Sequence, residues 1–547
     1  AVATTGLTQF DGAVTLSGAF DFTGTALTLN AALGSGSTVE VTNAGAFTTI
    51  AAGDITADLG FTQNGTGTSS LAGDITTTNN NISFATGITL TGDVLMTTGA
   101  ASDSLGNITF ADTINATTVG AQGLTLTAGG GNVVFDTDAT VTPAVTAHVG
   151  NSAALSSIDV TGANNITLRD VTTTGTQTYT ATGVIDTNST YISDGANIRF
   201  EGATVANSAL VIDTTDSGNA STAGTVTFTS TLDSADGATN NVTITAGEGN
   251  IEFDAAVGTA GTNNAGRLGA LTINSAEDVT VANTMALNAV SIKQVDGTGT
   301  TTFGGTVNTS GQIGGGNAKG IDITGNNVRF KAGVTTTGSG AVTIDNAGTL
   351  TIDNGANFNV DGAFAQISTA DTGSTNLGGN ITTANADISF VKGVTLTQGV
   401  TLSSDTGAGD IIFSSTLNAT TAGTETLELT AGSGDITFTG LVGDTTRLGA
   451  VTINSVKDLT ITNGMKAASF MQGLNSDDSL RGTGVFLLNG DLDTNAGGIT
   501  ISSATVDINA NVKTTAGNDG TTDNGKVTIN AGNGGVDLAL NNTITTT

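Results

Sequence analysis

The residue types that carry most enzyme chemistry are scarce in this chain of 547 residues. Cys is absent, and His148 is the one histidine, with no nucleophile motif beside it. Two adjacent acid pairs, Glu277 with Asp278 and Asp477 with Asp478, lie in Ser- or Asn-containing segments that are typical of turns. Paired carboxylates can cleave glycosidic bonds, but Trp is absent and Tyr occurs twice, so exposed sugar platforms are not expected. We therefore predict no catalytic residues and no enzyme activity.

Oxygen ligands suited to calcium are abundant, because Asp and Asn recur at turns. The nonapeptide calcium repeat GGxGxDxUx is absent, and residues 314–322 (GGGNAKGID) match it only loosely, with Lys319 in an unsuitable position. Calcium therefore stays an open alternative without a named ligand, and no cofactor is predicted.

The charge balance restricts the partners. Lys and Arg total 14 against 47 Asp and Glu, for a formal net charge of −33. Such a surface repels phosphate backbones, so we predict no nucleic-acid partner. No apolar run approaches the roughly 20 residues of a membrane helix, so we also predict no membrane insertion.

The elements that position these residues are predicted to be all-β. Gly occurs 78 times and Pro once, and the density of Gly, Thr and Asn disfavours helices. The segment at residues 124–135, LTLTAGGGNVVF, has close copies at 242–253, 427–438 and 527–538. Each copy predicts a short strand, a glycine turn and a second short strand. In both strands apolar residues occupy every second position, so one row of side chains faces the interior.

Phenylalanines that end short strands recur in three series, with spacings of 23–28 residues. This spacing is typical of one coil of a three-sided parallel β-solenoid, so we predict a structural core stack. Its members are Phe84, Phe110, Phe135, Phe200, Phe228, Phe253, Phe390, Phe413 and Phe438.

A longer repeat overlies the coils. Residues 268–275 (LGALTINS) return as 448–455 (LGAVTINS), and residues 61–84 resemble 364–390. We predict one continuous solenoid over residues 1–547, with internal repeats at approximately 1–174, 175–361 and 362–547. At about 25 residues per coil this gives roughly 22 coils in an elongated rod.

Two segments break the pattern. Residues 142–157 contain Pro143 and His148 and predict a loop or an irregular coil. Residues 463–481 carry Met465, Phe470 and Met471. A short helical turn or a projecting loop is one interpretation of this segment, but an irregular coil is favoured.

Several recurring segments resemble large secreted bacterial β-strand-repeat proteins, similar to filamentous-haemagglutinin-like adhesins. The residues that carry the resemblance are GDITF at 434–438, LTLTAGGGN at 124–132, RLGALTINSA at 267–276 and GAFAQ at 362–366. The resemblance implies export, a right-handed parallel β-helix, and an extracellular or cell-surface location.

The edges of a solenoid need caps to prevent pairing, and no helical or charged cap is evident near either end of the sequence. Either the chain is a segment of a longer protein or its ends join neighbouring subunits, and we favour the second explanation. We therefore predict a non-enzymatic structural rod of a cell-surface fibre, filament or sheath, with self-association end to end. The alternative is an adhesin stalk that binds surface glycans of a host or neighbouring cell through residues 463–481. A polysaccharide-cleaving β-helix enzyme is the least favoured alternative.

Overall fold

The computed structural model describes residues 1–99, 105–135, 148–215, 222–259, 266–314, 318–368, 372–473, 481–515, 525–539 and 542–546. The regular structure in these ranges is β-strand, without an α-helix. The all-β prediction is therefore confirmed. Two compact units divide the chain, Ala1–Thr280 and Val281–Thr547.

Unit 1 contains twenty-seven strands. They are β1 (Val2–Phe10), β2 (Val14–Leu16), β3 (Phe20–Leu29), β4 (Leu33–Ser35), β5 (Thr38–Asn43), β6 (Phe47–Thr49), β7 (Ile55–Ala57), β8 (Gly60–Gln63), β9 (Ser69–Leu71), β10 (Ile75–Thr77), β11 (Ile82–Phe84), β12 (Ile88–Leu90), β13 (Val94–Thr97), β14 (Ile108–Phe110), β15 (Ile114–Ala116), β16 (Gly123–Thr127), β17 (Val133–Phe135), β18 (Ser157–Ala163), β19 (Ile166–Thr167), β20 (Val171–Thr172), β21 (Gln177–Ile192), β22 (Ile198–Asp213), β23 (Val226–Phe228), β24 (Leu232–Ser234), β25 (Val242–Thr245), β26 (Ile251–Phe253) and β27 (Leu268–Ser275). The unit boundary falls within β28 (Val279–Val281).

Unit 2 contains the strands that follow β28. They are β29 (Leu287–Gln294), β30 (Thr300–Phe303), β31 (Val307–Thr309), β32 (Lys319–Gly325), β33 (Asn327–Phe330), β34 (Val334–Thr336), β35 (Ala341–Asn346), β36 (Thr349–Ile352), β37 (Phe358–Val360), β38 (Phe364–Ile367), β39 (Ser374–Leu377), β40 (Ile381–Thr383), β41 (Ile388–Phe390), β42 (Gly393–Leu396), β43 (Val400–Ser403), β44 (Ile411–Phe413), β45 (Leu417–Ala419), β46 (Leu427–Thr430), β47 (Ile436–Phe438), β48 (Leu448–Ser455), β49 (Leu459–Ile461), β50 (Met465–Met471), β51 (Gly482–Leu488), β52 (Leu492–Thr494), β53 (Ile499–Ile508), β54 (Val512–Thr514), β55 (Val527–Leu538) and β56 (Ile544–Thr546).

The strands pair in parallel with every third strand along the chain. In unit 1, β7, β10, β13 and β16 form a first face, and β8, β11, β14 and β17 form a second face. A third face contains β9, β12 and β15. This arrangement is a parallel β-solenoid of about 20 turns, close to the roughly 22 coils predicted. The right-handed winding stays a prediction.

Alternation along each short strand builds the core. In β11 the side chains of Ile82 and Phe84 are buried, while Ser83 between them faces outwards. The same inward alternation recurs in β14 and β17. Apolar residues at every second position therefore fill a narrow interior, and the small polar row faces the solvent.

Glycines in the repeated motif allow the coils to approach closely. Gly129, Gly247 and Gly432 have φ angles of 56°, 54° and 57°, in the left-handed region. Two residues later, a Cβ on Gly131 would lie 2.0 Å from the carbonyl oxygen of Gly106 in the preceding coil. Strand–turn–strand geometry is found in three copies of the motif. The fourth copy, residues 527–538, is instead the continuous strand β55, so the predicted turn is wrong there.

The longest strands follow a coil through all three faces. β21 and β22 contain 16 residues each and pair with one another in three segments separated by register shifts. The pairing of Gln177 with Ile198 continues the first face. The pairing of Ile185 with Thr204 continues the second face, and the pairing of Ser189 with Leu210 continues the third. In β21 and β22 the chain therefore turns each corner while it remains a strand, without the glycine turns found in other coils.

Residues 463–473 belong to the coils of the solenoid, in agreement with the favoured interpretation of this segment. Met465–Met471 is the strand β50, which pairs with β48 and β52, so a helical turn is wrong for this part. Met465, Ala467 and Phe470 are buried, and the strand pairs first with β52 and then with β53, so it passes from one face of the coil to the next instead of projecting as a loop. Residues 474–480, including Asp477 and Asp478, lie outside the described residues, as do residues 142–147 with Pro143.

Candidate functional site

The structure places the nine predicted phenylalanines in three ring stacks. Centroids of Phe84 and Phe110 are 6.0 Å apart, and those of Phe110 and Phe135 are 5.1 Å apart. The stack of Phe200, Phe228 and Phe253 has spacings of 4.9 and 5.5 Å. Rings of Phe390, Phe413 and Phe438 are separated by 5.4 and 5.3 Å, and all nine side chains are buried.

The two stacks of unit 1 lie in different faces. Phe84, Phe110 and Phe135 belong to the second face, and strand register continues that face to the small side chains of Thr187 and Ala206. The stack that starts at Tyr179 and Phe200 occupies the first face instead. Large rings therefore fill one side of the coil and then another, so that the interior keeps a similar volume.

A ladder of side-chain acceptors runs beside the strands of the second face. Asn81 Oδ1 accepts the backbone N–H of Asn107, Asn107 Oδ1 that of Asn132, and Asn132 Oδ1 that of Asn165. The distances are 2.8, 2.8 and 3.1 Å. Each amide therefore satisfies a donor at the turn that enters the next coil.

Unit 2 builds the same ladder with aspartates. Asp387 Oδ1 accepts the backbone N–H of Asp410 at 2.8 Å, Asp410 that of Asp435 at 2.8 Å, and Asp435 that of Asp458 at 3.2 Å. Lys457 Nζ lies 2.7 Å from Asp458 Oδ2 and 3.4 Å from Asp435 Oδ1. The lysine therefore offsets part of the repulsion between stacked carboxylates.

Two amide pairs are built into the core at equivalent places in the repeat. Gln63 Nε2 donates to Asn43 Oδ1 at 2.7 Å, and Gln366 Nε2 donates to Asn346 Oδ1 at 2.8 Å. All four side chains are at most 1% exposed. Thr86 Oγ1 also donates to Gln63 Oε1, and the other hydrogen bonds go to nearby backbone groups, so each pair fixes a corner rather than offering a reactive group.

His148 is used in an ion pair. Its Nδ1 lies 2.7 Å from Asp170 Oδ2, and both side chains are partly exposed. Its neighbour Val149 forms isolated bridges with Ile114 and Val171. The geometry thus gives His148 a partner in the stack of coils.

Of the adjacent acids Glu277 and Asp278, Glu277 is exposed, and the backbone N–H of Asp278 donates to Asn250 Oδ1, a ladder contact.

One pair of carboxyl groups on the first face of unit 1 has opposite pKa shifts. Burial raises the pKa of Asp159, with a smaller effect from the charge of Glu201. A hydrogen bond from Arg199 lowers the pKa of Glu201, and Thr180 also donates to that carboxylate, at 3.0 Å. Strand register places Asp159, Thr178 and Arg199 on three successive coils. All of these side chains are partly exposed, so they form a charged surface on the first face.

The second face of unit 1 carries a groove with a volume of about 780 Å³. Its floor is a row of outward side chains from five successive coils, which are aligned by strand register. These are Val134, Thr167, Asp186, Val205 and Asp233. Ladder residues Asn132 and Asn165 lie at the amino ends of the floor strands, and Asp236 and Thr259 line the opposite wall.

A smaller cavity of about 430 Å³ lies on unit 2 and has mixed charge. Strand register aligns Lys466, Asp493 and Lys513 along its floor. Asp493 Oδ2 lies 3.0 Å from Arg447 Nη2, and Lys466 Nζ lies 2.6 Å from Asp444 Oδ1. Opposite charges on neighbouring coils therefore neutralise much of this cavity from within.

The described residues contain neither a cluster of metal ligands nor a membrane-spanning helix. Within those ranges, no group of three or more His, Asp or Glu side chains is arranged to hold one metal ion. The same part of the chain contains no helix with the length and apolarity needed to cross a membrane.

The ladder residues and the groove were missed by sequence reasoning, although the ladder had a signal. Eight of the nine phenylalanines of the series close a tetrapeptide such as NISF or DITF, and its first residue, Asn or Asp, is the ladder acceptor; the exception is TVTF at 225–228. The groove had no such signal, because Asp186 and Asp233 lie 47 residues apart in the sequence. Only the coil register aligns them.

Fold and surface define the chain as a parallel β-solenoid protein. No family model, no curated protein and no solved structure matches the chain.

Proposed function

We propose that the protein is a non-enzymatic structural component of an extracellular or cell-surface fibre, filament or sheath, assembled from copies joined end to end. Support comes from the parallel β-solenoid fold, in which the same contacts between coils recur within each unit. Ring stacks, side-chain ladders and core amide pairs all use residues to hold one coil on the next. Such repeated contacts suit a scaffold, because stability accumulates with each added coil.

The observation that carries the proposal is a group of exposed apolar side chains in unit 2, at core register positions that none of the described residues covers. Val536 and Leu538 of β55 are in register with Val506 and Ile508, which are fully buried. Val536 is nevertheless 52% exposed and Leu538 44%. Ile544 of β56 is aligned with buried Val512 and is 44% exposed. Core positions without a covering coil favour pairing with another parallel strand.

Unit 1 has a similar surface. Leu16 of β2 is aligned with the buried Ser35 and is 36% exposed. In the described residues, β2 pairs with β4 on one edge only. We propose that the β2 edge of one copy covers the β55 edge of the next copy, which gives a head-to-tail contact and an open filament.

Electron microscopy of the purified chain tests this proposal, at low and moderate salt and with and without a chelator. We expect filaments of uniform narrow width. The double variant Val536→Lys and Leu538→Lys introduces charges into the proposed joint and should leave only discrete particles. A matched variant, Leu59→Lys and Leu105→Lys, changes exposed apolar residues elsewhere in unit 1 and should still form filaments.

Discrete particles from the unchanged chain under every condition would contradict self-assembly, and would mean that a different strand covers β55. Loss of filaments in chelator alone would add a divalent cation to the joint. Circular dichroism of both variants checks that the solenoid remains folded.

A further inference from the structure

The groove on the second face of unit 1 has the properties of a binding site, beyond the proposed fibre role. Four strand spacings separate Val134 from Asp233, so the floor is about 19 Å long. We infer that this groove binds an extended oligosaccharide that carries no acidic groups, with sugar hydroxyls donating hydrogen bonds to Asp186 and Asp233.

The hydrogen-bonding groups of the floor are partly used and partly open. Asp186 Oδ1 accepts a hydrogen bond from Asn207 Nδ2 at 3.1 Å, and Asp233 Oδ1 accepts one from the backbone N–H of Thr259 at 2.6 Å. These contacts orient both carboxylates. The second oxygen of each accepts no hydrogen bond from the described part of the chain, so two fixed acceptors face the groove.

The charge of the groove selects the class of ligand. Asp186, Asp233 and Asp236 line it, and none of the described lining residues is Lys or Arg. Acidic polymers are therefore repelled, as they are by the whole chain at a formal net charge of −33. A ligand that supplies hydrogen-bond donors without negative charge matches this lining.

The spacing of the acids argues against a single metal ion. Asp186 and Asp233 are two strand positions apart, about 10 Å along the stack. Calcium holds its oxygen ligands at about 2.3–2.6 Å, so one ion cannot contact both carboxylates. An extended molecule reaches both.

Backbone pairing argues against an extended peptide. A peptide that binds by adding a strand needs a free strand edge. The floor strands are already paired with the coil on each side, from β17 through β19, β21 and β22 to β24. Recognition therefore depends on side chains, and the methyl groups of Val134 and Val205 offer apolar contact to the C–H faces of a sugar chain.

Three β-1,4-linked hexasaccharides of different charge test the inference by ligand-observed NMR titration of the full chain: neutral N-acetylglucosamine, cationic glucosamine and acidic mannuronate. We expect the neutral and cationic chains to bind, with a Kd on the order of 0.1–1 mM because no aromatic residue lines the groove. The acidic chain should not bind.

Two variants locate the binding. The double variant Asp186→Ala and Asp233→Ala should weaken binding of the neutral hexasaccharide at least tenfold, and Val205→Trp should block the groove without removing a carboxylate. Asp507→Ala with Asp537→Ala is the matched control, since these aligned acids of unit 2 give the same charge change outside the groove. The control should bind as the unchanged chain does.

The inference is overturned if no hexasaccharide binds, if the acidic chain binds equally well, or if both groove variants bind normally. Binding of the cationic chain alone, lost in 0.5 M salt, would show general charge attraction and would also overturn it. Filament formation by the groove variants is recorded separately, so failure of this site is distinguishable from failure of the fibre proposal.

Discussion

At the scale of single residues, the side-chain ladder is the most repeated device in the molecule. Asn and Asp serve equally well in it, because the acceptor atom is Oδ1 in both. Amides form the ladder of the second face in unit 1, and carboxylates form its counterpart in unit 2. Hydrogen-bond geometry, rather than charge, is what the turn requires.

This equivalence gives a prediction at Asp410. Asp410→Asn keeps the acceptor for the backbone N–H of Asp435 and removes repulsion from the neighbouring carboxylates, so local stability should be unchanged or higher. Asp410→Ala leaves that N–H without its partner, which costs about 1–2 kcal/mol. Hydrogen exchange of the Asp435 amide should then become about 5- to 30-fold faster.

Asp507→Ala is the control, since Asp507 faces outwards beside the same series of coils and is not a ladder acceptor for residues 410–435. Equal rates of hydrogen exchange at the Asp435 amide in Asp410→Ala and Asp410→Asn would show that the ladder contact contributes nothing there.

At the scale of elements, each coil depends on the coils directly beside it. Phe413 of β44 lies between Phe390 of β41 and Phe438 of β47, with ring planes within 9° of parallel. Rings, strand pairing and ladder all connect the same neighbours. A defect in one coil should therefore remain local.

Phe413→Ala tests this locality. Removal of a fully enclosed ring costs about 3–5 kcal/mol, because the surrounding coils cannot close the cavity. Hydrogen–deuterium exchange should accelerate in β41, β44 and β47, with little change in the strands of unit 1. Phe200→Ala should give the reverse pattern, with faster exchange around Phe228. Uniform acceleration throughout the chain would contradict a nearest-neighbour description.

Sequence reasoning predicted the fold because each coil repeats the same pattern of residue types. Alternation gives the strands, Phe spacing gives the coil length, and glycine marks corners such as Gly129. It was less successful at Met465–Met471, where the alternative of a helical turn is wrong because this segment is a paired strand with Met465, Ala467 and Phe470 in the core. It also missed the groove, because Asp186 and Asp233 meet only through β21–β22 and β22–β24 pairing.

At the scale of the whole molecule, charge opposes association. A formal net charge of −33 makes copies repel at neutral pH, most strongly at low ionic strength. The apolar residues of β55 act in the opposite direction over short distances. Solution conditions should therefore set the balance between discrete molecules and filaments.

Light scattering should show this balance directly. We expect association to increase from about 10 mM to about 500 mM salt, as the Debye length falls from roughly 30 Å to below 8 Å. It should also increase as pH falls towards about 4, where carboxylates lose their charge. Association that weakens with salt would show instead that ion pairs between copies hold the assembly.

The amide ladder of unit 1 also affects how the protein ages. Asparagine side chains slowly hydrolyse to aspartate, and in most folds this exchanges a neutral donor–acceptor group for a charge. At Asn81, Asn107 and Asn132 the product retains the Oδ1 that accepts the backbone N–H of the next coil. The aged ladder is then the one that Asp387, Asp410 and Asp435 already form. Hydrolysis at these positions therefore gives an aspartate acceptor of the kind that unit 2 already contains.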